Sequence, residues 1–127
     1  RLRTRRFRLP VEPGGLVDLA MSLKLLEPRP LVDGHIVTEA AFVDLGEIQL
    51  VTVPGEPTPA VGRRIERGLR GPYRMILTLG MDELAYILTD EQWRDPRFVY
   101  ERSDSLGPRT FRITIENLQA LMEGGAH

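Results

Sequence analysis

Few side chains in this sequence could do chemistry, and their scarcity narrows the possibilities. There are three serines, Ser22, Ser103 and Ser105, two histidines, His35 and His127, and no cysteine. None of the serines lies in the Gly-x-Ser-x-Gly setting of a nucleophile elbow, so a hydrolytic triad within this chain is nearly excluded. The histidines lack the i, i+4 spacing of a helical zinc site. Without cysteine, neither a disulfide framework nor a thiolate zinc site can form. His35 follows a turn and opens a strand, where a partly exposed strand-end residue is the ordinary reading. His127 is the terminal residue.

Glu56 stands apart from these. It sits in Pro54-Gly55-Glu56-Pro57-Thr58-Pro59, directly after a hydrophobic stretch. Three prolines and a glycine in six residues cannot continue a strand. The turn therefore holds a carboxylate at a strand end, just before a helix whose first amides face it. Glu56 can cap that helix start, or it can face a ligand. Tyr86 follows a glycine-containing loop after the next strand, and neighbouring strands of one sheet would bring it to the same edge as Glu56. A lone tyrosine can equally pack in the core with its hydroxyl satisfied. Tyr100 and Trp93 carry the same ordinary reading, and Asp90, Glu91 and Asp95 read as a solvated loop.

The elements that must position these residues follow from periodicity. Residues 1–9 alternate loosely, with Leu2, Phe7 and Leu9 against arginines, which suits a strand with one solvated face. The same arginine cluster could be a phosphate-binding arm, but no aromatic interleaving or glycine loop accompanies it. After the Pro10, Pro13, Gly14, Gly15 breakers, Leu16, Leu19, Ala20, Leu23 and Leu26 recur at helical spacing, predicting an amphipathic helix over 15–26 that Pro28 and Pro30 end. Residues 35–45 and 48–53 predict an antiparallel hairpin across Gly46-Glu47. Thr58 as N-cap and Pro59 at the first position open a helix over about 59–70. Tyr73–Leu79 reads as a buried strand, 80–84 as a crossing loop and 85–88 as a short extended piece. Residues 90–97 read as a loop or one helical turn, 98–101 as a short apolar run and 103–107 as a turn. Pro108 opens a last helix with Phe111, Ile115, Leu118, Leu121 and Met122 inward. The expected class is α+β: a mixed sheet with a central antiparallel hairpin and about three helices, part of a larger α/β catalytic domain.

Bulk properties bound the reading. The 127 residues suit one domain, and 42% hydrophobic with 28% charged residues is ordinary globular composition. The net charge of −1 gives no global argument for nucleic acid. No apolar run approaches the roughly 20 residues of a membrane span. The chain opens on Arg1 with no leader-like segment, so it is expected to be processed or preceded by further sequence. The compartment stays open between secreted and cytoplasmic, in a bacterium.

The string Gln49-Leu50-Val51-Thr52-Val53-Pro54-Gly55-Glu56, with Gly62-Arg63-Arg64 in the helix after it, resembles the neutral/alkaline (non-lysosomal) ceramidase family. The likeness continues through Met75–Leu79, Gly80, Tyr86-Ile87, Asp90-Glu91, Tyr100-Glu101 and Gly107-Pro108. It covers about residues 36–109 and fits residues 1–35 only loosely. The resemblance implies the C-terminal part of the catalytic domain of a divergent bacterial-type member. It implies a zinc-dependent amidase that cleaves the N-acyl bond of ceramide-like lipids, with Zn2+ held by two His, one Glu and one Tyr. It places that Glu at Glu56 and that Tyr at Tyr86, and a second tyrosine near the reacting carbonyl at Tyr100. The family's His ligands and catalytic Ser fall upstream of the match, so an upstream segment of the same protein or a partner chain would have to supply them. The chain alone would then be inactive. The Tyr86–Tyr100 spacing is longer than in familiar members, and Pro57 replaces a bulkier apolar residue, which suits another amide or lipid substrate. The alternative is a non-catalytic ceramidase-like module that binds or scaffolds. Nucleic acid and a transmembrane segment are not expected.

Overall fold

The computed structural model describes residues 1–13, 15–25 and 29–124. Leu26, Pro28 and His127, which figure in the expectations above, lie outside them. The fold is α+β, as the residue pattern predicts. Strands β1 (Leu2–Pro10), β2 (His35–Asp44), β3 (Ile48–Val53) and β5 (Tyr73–Thr78) form one mixed sheet in the order β1-β2-β3-β5. A second, two-stranded sheet joins β4 (Glu56–Pro57) to β6 (Tyr86–Ile87). The helices are α1 (Leu16–Ser22), α2 (Pro59–Glu66), α3 (Asp90–Arg94), α4 (Val99–Ser103) and α5 (Thr110–Glu123), with a 3-10 turn at Pro96–Phe98.

The expected hairpin is the centre of the main sheet. Phe42 pairs Val51 and Val43 pairs Leu50, antiparallel. The β1 arginines pair along the whole of β2, from Leu2 opposite Val43 to Pro10 opposite His35, so this segment is a strand. Two of them turn onto the helical side. Arg3 Nη2 donates to the Met122 carbonyl at 2.6 Å, and Arg5 Nε donates to Asn117 Oδ1 at 2.8 Å. Arg3 also lies 4.8 Å over the Phe42 ring, a cation–π contact. Phe7 and Leu9 are buried, whereas Leu2 is exposed. An even-numbered residue cannot share a strand face with odd ones.

One core lies between the sheet and helices α2 and α5. Phe42, Val51 and Val53 meet Val61 and Ile65 of α2 and Leu118 and Leu121 of α5, with Ile87 and Leu106 joining them. Burying side chains of this size stabilises by about 1.5–3 kcal/mol each. In α5 the expected inward positions hold: Ile115, Leu118 and Leu121 are buried, and Phe111 and Met122 pack partly against the core. Gly124, with φ of 79°, ends that helix in the left-handed conformation.

Several expectations are corrected. Helix α1 spans Leu16–Ser22, and Leu16, Leu19 and Leu23 are exposed, while Val17 and Met21 pack against the core. The leucine spacing names a stripe, but the side that meets the core is the adjacent one. Helix α2 stops at Glu66, short of residue 70. Strand β5 is buried on one side at most: Ile76 packs partly against the core, while Tyr73, Met75 and Leu77 are exposed. It is an edge strand, and an apolar run cannot report whether anything covers its far face. Helices number five among the described residues, where about three were expected. The added ones are α3, the single helical turn that residues 90–97 allowed, and α4, in a segment read as an apolar run. The signal for α3 was the capping box Thr89-x-x-Gln92, both halves of which form. Asp90 and Glu91 lie in its first turn, and Asp95 caps the 3-10 turn by accepting from the Arg97 amide.

These burials separate two kinds of leucine-sized position. Phe42→Ala, at 1% exposure, is expected to cost about 3–5 kcal/mol. Leu19→Ala, at 52% exposure, is expected to stay within about 0.5 kcal/mol. Urea unfolding of both variants checks this, and equal losses would place α1 in the core.

Candidate functional site

The Pro-Gly-Glu turn and the Ala85–Tyr86 segment meet as short parallel strands. Glu56 is the register partner of Tyr86, and Pro57 of Ile87. The Glu56 amide donates to the Ala85 carbonyl at 2.9 Å, and the Thr58 amide to the Ile87 carbonyl at 3.1 Å. Gly55 makes the approach possible. A Cβ there would stand 2.8 Å from the Ala85 oxygen and 3.2 Å from Ile87 Cδ1, closer than a backbone oxygen tolerates.

Glu56 is therefore a strand residue, not the helix cap. The N-cap of α2 is Thr58, with Pro59 following. Thr58 makes no side-chain capping bond; its hydroxyl donates instead to Gln92 Oε1 at 2.7 Å, tying α2 to the start of α3. The Glu56 carboxylate is exposed and makes no hydrogen bond or ion pair with the described residues.

Tyr86 is half-buried, and its ring meets that of Tyr100 edge-on, with centroids 6.0 Å apart and planes at 65°. Tyr100, on α4, is 67% exposed, so the ordinary core-packing reading fails for it. The Tyr86 hydroxyl is pushed above the usual phenol range, first by partial burial and next by the negative charge of Glu56, with Tyr100, Asp104 and Glu101 adding to it. The Asp104 backbone carbonyl also holds the strand, accepting from the Tyr86 amide at 2.9 Å. Glu101 Oε2 is buried with no hydrogen-bond partner. Glu101 enters the sequence pattern only as the partner of Tyr100 in the Tyr100-Glu101 pair, and Asp104 does not enter it. The only available signal was that Glu101 directly follows Tyr100.

The loop that delivers Tyr86 is strained and clamped. Leu79, Met81 and Ala85 all have positive φ, at 53°, 71° and 62°, and such non-glycine residues each cost on the order of 1–3 kcal/mol unless the surroundings hold them. Asp82 does the holding. It accepts from Arg29 Nη1 and Nη2 at 2.6 and 2.9 Å, from Thr38 Oγ1 at 2.7 Å and from the Glu83 amide at 2.9 Å. Burial, the largest single effect, would raise its pKa, but the bonds from Arg29, Thr38 and Glu83 together hold the carboxyl below its usual value.

Beside this edge lies a cleft of about 650 Å³ whose charged lining is Glu56, Glu83, Asp104 and Arg29 and whose apolar lining includes Val17, Met21, Ile36 and Leu84. His35 sits at the start of β2, half-buried, with Nδ1 2.7 Å from the Asp33 carbonyl oxygen, as a strand-end residue. Among the described residues no group of three or more His, Cys, Asp and Glu is placed to hold a metal ion. What the edge offers a cation is a free carboxylate, a phenol beside it and surrounding negative charge. That suits hard and borderline metals but is two donors short of a tetrahedral set.

No protein-family model matches the chain, and no curated protein matches it. In fold it is similar to the crystal structure of neutral ceramidase from Pseudomonas aeruginosa, at 21% identity and a TM-score of 0.53. The match covers 69% of this chain and 16% of that one. At this identity the likeness is one of fold.

Two outcomes follow from the geometry. Because the Asp82 carboxyl is depressed on folding, its contribution to stability is complete above the unfolded carboxylate range and is lost as pH falls through the folded value. Asp82→Asn should therefore unfold more readily than the parent at neutral pH and lose less on acidification, in urea titrations across the carboxylate range. Asp95, held at about 2 by Arg97, keeps its share to lower pH in both proteins. Separately, Glu56→Gln should bring the Tyr86 hydroxyl back toward its ordinary value, read by ultraviolet titration. An unchanged Tyr86 would mean that the carboxylate does not face the phenol.

Proposed function

We propose that this chain provides part of a zinc amidohydrolase site that cleaves the N-acyl amide of ceramide-like lipids, with Glu56 and Tyr86 as metal ligands and Tyr100 beside the reacting carbonyl. The observation that carries this reading is the parallel register that sets Glu56 against Tyr86 with the Tyr100 ring 6.0 Å from that of Tyr86. The ceramidase likeness in fold and the order of the three residues support it.

Each residue has a task that its setting suits. Glu56 offers a carboxylate free of competing bonds, held by backbone on both sides. Tyr86 keeps its proton more tightly than an ordinary phenol in the metal-free chain, and a cation at this edge would invert that preference. The Tyr100 hydroxyl, exposed at the rim, is free to donate to a carbonyl oxygen as negative charge grows on it. Zn2+ supplies the Lewis acidity that polarises the amide and acidifies a water molecule. The apolar side of the neighbouring cleft suits an aliphatic chain. The two His ligands and any nucleophile come from an upstream segment of the same protein or from a partner chain.

The second reading is a non-catalytic ceramidase-like module that binds or scaffolds. It is favoured by one observation, the lack of a three-residue His, Cys, Asp or Glu cluster among the described residues. Zinc titration of the chain, followed by calorimetry and tyrosine difference absorption, separates the two. The amidase reading expects weak binding of one zinc that perturbs tyrosine absorption and falls at least tenfold in both Glu56→Ala and Tyr86→Phe. A site that survives both substitutions sinks it. Robust hydrolysis of an N-acyl substrate by these 127 residues alone would refute the scaffold reading.

A further inference from the structure

Among the described residues, helices cover the main sheet on one face only. Helices α2 and α5 pack on the side that carries Phe42, Val51 and Val53. On the other side, register lines up apolar residues from strand to strand. Leu2, Val43, Leu50 and Met75 form one continuous row across β1, β2, β3 and β5. Ile48 and Tyr73 flank that row on one side, and Leu77, beside the buried Thr52, on the other. Tyr73 is 61% exposed, Met75 48%, Leu77 45% and Ile48 39%.

This is not an ordinary solvated sheet face. A solvated sheet face ordinarily carries polar residues, whereas β3 and β5 present Ile48, Leu50, Tyr73, Met75 and Leu77 on this one. Monomers rarely leave a contiguous apolar patch beyond a few hundred Å² in water. We propose that this face is the interface of a homodimer, in which the sheets of two copies pack face to face about a two-fold axis.

Three features favour a second copy as the occupant. The exposed apolar side chains of the face amount to on the order of 600 Å², close to the roughly 800 Å² that a stable interface takes from each partner. The charged residues of the same face lie toward β1 and are already neutralised: Arg6 pairs with Glu39 at 3.8 Å, and Arg8 with Asp33 at 3.9 Å. An apolar centre with a neutral polar rim is the anatomy of an interface. The net charge of −1 sets little repulsion between copies. Pairing of two β5 edges would extend the sheet but leave this apolar face in water, so face-to-face packing is the arrangement that removes it.

Sedimentation velocity over about 1–100 µM tests the proposal, since a micromolar dimer dissociates across that range. The expected result is a reversible monomer–dimer equilibrium that M75K/L77K weakens at least tenfold while far-ultraviolet circular dichroism stays unchanged. Both side chains are exposed in the monomer, and Tyr73→Lys at the corner of the face serves if the double variant does not fold. A parent chain that stays monomeric throughout overturns the proposal, as does a dimer that resists every substitution. Association that runs past the dimer, or partition of a monomeric chain onto phosphatidylcholine vesicles, also overturns it. So does dimerisation that protects the outer-edge amides of β5 from hydrogen exchange, because that signals edge pairing.

Discussion

The rest of the structure depends on one close backbone contact, the approach of Gly55 to the Ala85 carbonyl. It lets the Glu56 amide reach Ala85 and the Thr58 amide reach Ile87, and so lays a second small sheet beyond the end of the first. The Leu79 amide donates to the Gly55 carbonyl at 3.0 Å and the Gly80 amide to the Val53 carbonyl at 3.1 Å, so the departing end of β5 is held by the same turn. A side chain at position 55 would meet a backbone oxygen rather than a movable group. With it would go the alignment of Glu56 with Tyr86. The carboxylate and the phenol are neighbours because two chain segments can touch there without a Cβ between them.

Around that contact the molecule divides its labour. The core between sheet and helices is apolar, and it fixes β3 and α2 on either side of the turn. The loop before Tyr86 is polar and strained, and it is fixed by the Asp82 bonds to Arg29, Thr38 and Glu83. Strain held by a partly exposed charge network is a costlier device than an apolar plug. It suits a segment that must present a side chain outward at the rim of a cleft. The far face of the main sheet belongs to neither part. Its apolar rows match the core in character and differ from it only in having nothing against them.

Much of the frame was legible in residue order. The hairpin follows from alternation on either side of Gly46-Glu47, and α5 from its 3.6-residue repeat, because both patterns record burial on one side of a regular element. The edge shared by Glu56 and Tyr86 was legible as a possibility, since both follow strands. Their register was not, because it is set by the Gly55–Ala85 approach between segments thirty residues apart. The supporting residues Asp82 and Asp104 carry no local signature at all. An acidic residue in a loop looks the same whether it is solvated or clamps a distant strand.

By itself the sequence determined the fold class, the central hairpin, helix α5 and the break at Pro54-Gly55-Glu56, because each depends on composition or on short-range periodicity. The tertiary structure alone decided that β5 is an exposed edge, that α1 turns Val17 and Met21 rather than its leucine stripe toward the core, and that Tyr86 stands between Glu56 and Tyr100. Those outcomes depend on which surfaces meet. An apolar side chain carries the same pattern in the chain whether or not another layer comes to cover it.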